Sequence, residues 1–184
     1  MSGPAWLVTL LAVAVVIAVV VYLSSTAGRL DRLHRRVEVG QDNLHRALQR
    51  RRDLADHAAA IGVLDPASSL LIANAVARVD ATEPSDRVAT YLAESDLTAV
   101  LTAVFADPTE VDEIIDEPGG EVVARLADSC HRVEIGRRFY NDAVLATRNQ
   151  RNRAIVRIFR LQGRAAMPET VEMADAPPEG FAGR

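Results

Sequence analysis

The chain has 184 residues, 21 cationic residues against 25 carboxylates, and a formal net charge of −4. All the cationic residues are arginine, so neither a Walker A loop nor Schiff-base chemistry, both of which need lysine, is available. Cys130 is the single cysteine, which excludes an intrachain disulfide and a cysteine-rich zinc site.

The first element is a run without charge from Ala5 to Leu23, AWLVTLLAVAVVIAVVVYL. Nineteen helical residues rise about 28 Å, close to the thickness of a bilayer's hydrocarbon core. Trp6 and Tyr22 stand near its ends, about 24 Å apart, where amphipathic rings settle at the two headgroup levels. The run therefore reads as one transmembrane helix. The competing reading is a signal peptide cleaved near Ser25-Thr26-Ala27. Against it, no Lys or Arg precedes the span and the apolar run exceeds the usual length. Arg29, Arg32, Arg35 and Arg36 follow at once, which places the remaining chain on the cytoplasmic side and the short N-terminus outside.

Beyond the anchor, charge is segregated. Residues 29–61 carry eight arginines and five carboxylates, residues 65–121 two and thirteen, residues 122–167 ten and three. Basic helices packed beside acidic ones account for this most simply. A basic surface for anionic lipid or nucleic acid is the alternative.

The first helix is expected to continue from the membrane to Ile61, with Leu30, Leu33, Val37, Leu44, Leu48, Ala55 and Ala58 at three- and four-residue steps. Gly40, Gln41 and Arg51 interrupt that stripe. Asp65-Pro66 signals the next helix, over 66–81. It is expected to carry Leu70, Leu71, Ala73, Asn74, Ala77 and Val79 within its run. A turn at 82–85 leads to a third helix ending near Ala106, with Val88, Leu92, Leu97 and Leu101. Asp107-Pro108 repeats the cap-and-proline signal before a short acidic piece, 109–116. Pro118-Gly119-Gly120 breaks the chain. A long helix should then run from Glu121 to Leu161, with Val123, Leu126, Cys130, Val133, Tyr140, Val144, Ala154, Ile158 and Leu161 on a near-heptad seam. Phe139 and Ala143 widen that face; Arg137, Thr147 and Arg151 are polar intrusions into it. The tail, 166–184, is acidic and rich in Pro and Gly, and is expected to be flexible.

These elements predict an all-α protein. A membrane anchor over 1–28, spanning 5–23, precedes an elongated antiparallel bundle of three or four helices over 29–165. The last long helix should return toward the membrane. With Leu30 opposite Leu161, Asp53 would pair with Arg137 or Arg138, and Asp42 with Arg148 or Arg151. Such buried pairs fix register more than they add stability.

Two stretches resemble a known family. LHRALQRRRDL, residues 44–54, and RRFYNDAV, residues 137–144, are similar to the two signatures of LemA proteins, and Ala93-Glu94-Ser95-Asp96-Leu97 resembles a third segment. The resemblance covers about 30–165. It implies a membrane-anchored antiparallel helical bundle with no established enzymatic activity, acting as an adaptor or scaffold. The chain departs from the pattern in several places. Ala55-Asp56-His57-Ala58 lacks the usual proline, and residues 107–120 replace a Tyr-Pro and Asn-x-Phe segment. Ala154-Ile155 stands for a Phe-Pro, which would let the last helix run on unbroken.

Chemistry-bearing patterns are sparse. The four histidines have no i,i+3 or i,i+4 spacing, so no single helix offers a zinc pair, and only a cross-helix set of His57, His131 and Asp56 could be imagined. The carboxylates of 107–121 do not follow the calcium-loop spacing. There is no HExxH, GxSxG or GxGxxG. No cofactor or metal is expected, nor a specific small molecule or nucleic acid. The expected partners are the bilayer and a membrane protein. Arg153, Arg157, Arg160 and Arg164 lie at i, i+4, i+7 and i+11, a stripe suited to lipid headgroups.

Overall fold

The computed structural model describes residues 5–83, 85–159 and 166–183, all helical or irregular, with no strand among them. The helices are α1 (Ala5–Ala60), α2 (Pro66–Asp80), α3 (Arg87–Val104), α4 (Pro108–Asp116), α5 (Glu121–Arg151) and α6 (Ala154–Ile158), followed by a short 3-10 turn at Glu179–Phe181. The chain divides into two compact units. One comprises residues 1–38 and 142–169; the other comprises residues 39–141 and 170–184.

In the first unit, the N-terminal part of α1 is long and apolar enough to cross a membrane, and none of its apolar window is buried. Ala5 begins the helix, Trp6 is 60% exposed, Tyr22 is 52% exposed and Leu23 is half-buried. Ser25 and Thr26 both donate from their hydroxyls to the Tyr22 carbonyl at 2.9 Å, so the polar residues after the span return their hydrogen bonds to the helix. Leu30, Val37, Val144 and Val156 are buried in this unit.

The expected helix ends hold to within a few residues for α1 to α4, and for the start of α5. The Asp65 carboxylate accepts from the amides of Ala67 and Ser68, and the Asp107 carboxylate from that of Thr109, each just before a proline at the first helical position. Asp86 caps α3 by accepting from the Ala89 amide. α3 and α4 then meet at 86°.

The C-terminal half departs from the expected layout. The long helix does not run on to Leu161; α5 ends at Arg151, and Asn152-Arg153 separate it from α6. Asn is a weak helix former, and Arg151 turns to donate to the Ala166 carbonyl at 2.6 Å. Leu161 lies outside the described residues.

The core of the second unit gathers Leu54, Ala55 and Ala58 of α1, Ile72, Ala75, Val76 and Val79 of α2, Leu97 and Leu101 of α3, Val111 of α4, and Val122, Val123, Leu126, Ala127 and Cys130 of α5. Leu64, Phe105 and Phe181 complete it, the two ring centroids 4.8 Å apart. Most of the seam expected on α1 and α5 is buried, Arg51 and Thr147 with their apolar neighbours, but Leu33 and Arg137 are half-buried, Gln41 is exposed, and the seam ends before α6, where Ala154 and Ile158 are exposed. Leu70, Leu71, Val88, Leu92 and Phe139 are exposed, so only part of each expected apolar set, Val79 on α2 and Leu97 and Leu101 on α3, faces the core, and α5 buries only its narrow seam.

Gly40 explains one interruption of the α1 stripe. A Cβ there would stand 3.3 Å from the Tyr140 Cα, and one at Gly136 would stand 3.7 Å from the Leu44 Cα, so two glycines let α1 and α5 approach closely. These contacts also reset the register. They bring Gly40 level with Tyr140 and Leu44 level with Gly136, which puts Asp53 level with about Ala127 rather than Arg138. The offset is eleven residues, or about 16 Å of helix.

Candidate functional site

The most constrained polar chemistry lies where α1 meets α3. Arg51 interrupts an apolar stripe, so its guanidinium is carried into the core, and α3 supplies Glu94 and Thr98 one turn apart on the facing side. Arg51 NH2 donates to Glu94 Oε2 at 2.6 Å and to the Glu94 carbonyl at 3.2 Å, while NH1 donates to Thr98 Oγ1 at 2.9 Å. Both charged side chains are 1% exposed. Arg52 extends the cluster outward: NH1 donates to Asp80 at 2.8 Å. Its Nε stands 3.4 Å from Glu94 Oε1, in a geometry too poor for a hydrogen bond.

Beside this cluster lies a groove of about 520 Å³ between α1, α2 and α3, lined by Gln41, Asp42, His45, Arg52, Arg87 and Tyr91 among others. Arg87 lies over the Tyr91 ring, 5.9 Å from its centroid. Burial alone would lower the pKa of Arg87, but hydrogen bonding to Tyr140 and Tyr91 outweighs it and raises the value. A smaller groove, about 270 Å³, is lined by Asp53, Asp56 and Asp80 with Arg52.

The second concentration of polar contacts is on the other side of α3 and α5, and its partner is the tail. Residues expected to be flexible lie extended along the unit, with Val171, Asp175, Pro178, Gly180 and Phe181 buried. Asn141 grips one residue by both its main-chain groups. Its Nδ2 donates to the Val171 carbonyl at 3.0 Å, and its Oδ1 accepts from the Val171 amide at 2.8 Å. Arg137 makes a fork on Asp175, with Nε to Oδ2 at 2.5 Å and NH2 to Oδ1 at 2.9 Å. The hydrogen bonds to Asp175, stronger than the opposing burial, raise the Arg137 pKa. The Ala174 amide donates to Ser95 Oγ at 3.1 Å, and the Gly180 amide to the Phe105 carbonyl at 3.0 Å. His131 Nε2 lies 3.2 Å from the Phe181 carbonyl, to which it can only donate.

The expected polar pairs are thus redistributed. Arg137 pairs with Asp175 and not with Asp53; Arg138 pairs with Glu134 one turn back on its own helix. Asp53 and Asp42 are exposed and line grooves. Arg148 is half-buried, and Arg151 NH1 donates to the Ala166 carbonyl at 2.6 Å. Of the basic stripe, Arg153 is exposed. The Arg157 side chain, and Arg160 and Arg164 entirely, lie outside the described residues. Among the described residues no group of three His, Cys, Asp or Glu could hold a metal, and His131 is engaged by the tail rather than by His57.

Sequence reasoning missed both anchors of the tail and the Arg51–Glu94 pair. The signals were present: Arg51 within an apolar stripe, and Val171 and Phe181 within an acidic segment. Three short stretches supply these contacts: Arg51 and Arg52 from residues 44–54, Glu94 and Ser95 from residues 93–97, Arg137 and Asn141 from residues 137–144. Comparison of the chain with family profiles, curated proteins and solved structures finds no match.

Proposed function

We propose that the chain is a membrane-tethered helical adaptor of LemA type: an antiparallel bundle without enzymatic activity that holds a protein partner at the cytoplasmic face of the cell membrane. The observation that carries the reading is the apolar start of α1, exposed along its whole length and continued without a break into the helix that builds the bundle core. Leaving that surface in water would be costly, about 25 cal/mol per Å² of apolar area, and a bilayer removes the cost. Arg29, Arg32, Arg35 and Arg36 support the orientation.

The alternative, an anionic-lipid or nucleic-acid module, is less well supported. Arg51, Arg52 and Arg137 are paired with carboxylates of the same unit, as expected if charge segregation serves internal complementarity.

Fractionation tests the anchor. The full chain should stay with membranes through alkaline carbonate and leave them in detergent, while a chain lacking residues 5–23 should be soluble. In a Cys130→Ala background, a membrane-impermeant maleimide should label Ser2→Cys but not Glu117→Cys in intact cells. Carbonate release of the full chain, or the reverse labelling, would refute the reading. Co-purification from detergent-solubilised membranes then tests for the partner.

A further inference from the structure

The tail is held largely as a ligand is held. Most of its hydrogen bonds run from its main chain to groups of α3 and α5 and to Phe105 between α3 and α4: Val171 to Asn141, Ala174 to Ser95, Gly180 to Phe105, Phe181 to His131. Main-chain contacts of this kind accept any extended peptide. Selectivity comes from three positions. Asp175 meets the Arg137 fork. Phe181 fills a fully buried site against Phe105. Gly180 passes where a Cβ would stand 2.5 Å from the Phe105 carbonyl oxygen and 2.7 Å from Val111 Cγ2, so no other residue fits without displacing α4.

We infer that the α3–α4–α5 surface is a peptide-recognition groove whose occupant in function is a partner protein's extended segment of the form Val-x3-Asp-x4-Gly-Phe, with the chain's own tail as its resident competitor. The tail states the chemistry of that partner, because it is the segment seated there: largely extended, acidic and carrying Gly-Phe near its end. The inference gives the adaptor its recognition element and rests on that reading. The groove keeps its donors and acceptors satisfied when empty of a partner, as a buried polar surface must, because the tail supplies them. A tethered tail acts at a high effective concentration, so the wild-type chain should take a free peptide poorly and a chain with a weakened tail should take it well.

The test uses the full chain in detergent and a fluorescein-labelled peptide of residues 167–184, read by anisotropy. An Asp175→Ala chain should bind the peptide at least tenfold more tightly than the wild type. Adding Arg137→Ala to that chain should return binding to the wild-type level or below. A Gly180→Ala peptide should bind at least tenfold more weakly than the natural one. Asp175→Asn provides a second weakened tail should the first variant lose helix content. No saturable binding to either helical variant would overturn the inference and mark the tail as a fixed part of the core. So would binding indifferent to Arg137 and to Gly180. Because these arms run in detergent, they fail separately from the membrane fractionation that tests the adaptor reading.

Discussion

Arg51 and Glu94 meet 2.6 Å apart with both side chains almost wholly enclosed, forty-three positions apart in the chain. The pair ties α1 to α3 at one register, and Thr98 and the Glu94 carbonyl take two further guanidinium hydrogen bonds. Arg51 Nε and Glu94 Oε1 have no hydrogen-bond partner, so the cluster gives up part of what it gains. A buried pair of this kind specifies which faces meet more than it stabilises the fold.

Removing one partner should therefore cost far more than removing both. Arg51→Ala or Glu94→Ala should each lower stability by about 3–5 kcal/mol, through the charge left unpaired, whereas Arg51→Met with Glu94→Leu should be nearly neutral or better. Urea melts of the four proteins in detergent check this; a double variant as unstable as the sum of the singles would contradict it.

Cys130 should be chemically silent in the folded chain. Burial pushes its thiol up to about 11, and the Arg51 charge pulls it back only in part. Maleimide should label it at pH 8 only after denaturation. The raised pKa means the folded thiol keeps its proton while the unfolded one, with an ordinary value of 9.0, loses it. Stability is then unaffected below about pH 9 and falls as pH rises from 9 toward 11. A Cys130→Ala chain should lose this alkaline slope, measured as the difference between melts at pH 8 and pH 10.5.

The Arg137–Asp175 clamp should behave differently with pH. Its arginine is held above an already high ordinary value, so its contribution is present throughout the working range and lost only beyond any usable alkaline pH. Asp175→Asn should cost about 1.5–3 kcal/mol as a lost charge-assisted bond. Arg137→Lys should recover little, since an ammonium cannot form the fork. Hydrogen exchange at the amides of Val171, Ala174 and Gly180 is the measurement: all three should exchange faster in Asp175→Asn, while amides at the centre of α5 stay protected.

The Asp65 cap offers a test at acid pH. Its hydrogen bonds with Ser68, first the side chain and then the amide, hold its carboxyl below the ordinary 3.8. A depressed carboxyl stabilises above that ordinary value and stops doing so as pH falls through the folded one. The wild-type chain should exceed an Asp65→Ala chain in melting temperature at pH 6, and the gap should close toward pH 2.

Much of the helical layout was legible in the residues, and the reasons are local. Asp65-Pro66 and Asp107-Pro108 carry their own capping chemistry, and the α1 and α5 stripes repeat at helical steps, so neither needed tertiary information. The register of α1 on α5 was not legible, because many apolar positions could face one another and the choice fell to Gly40 and Gly136, where close approach depends on a missing Cβ. The tail was misread for a related reason: acidic composition with Pro and Gly marks a segment unable to form its own core, yet Val171 and Phe181 need only a core supplied by others. Arg137 was expected to look toward Asp53, and the carboxylate it meets is thirty-eight residues further along the chain.

Asn141 has one more consequence. An extended peptide normally finds its neighbours at the open edge of a sheet, where another main chain offers alternating amide and carbonyl, and the described residues contain no such edge. One carboxamide, carrying a donor and an acceptor side by side, reproduces a single rung of that ladder from a helix surface. Exchange of Asn141 for Asp would keep the shape and turn one of the two bonds into an oxygen facing an oxygen, so a change of a single atom type is enough to take the rung away.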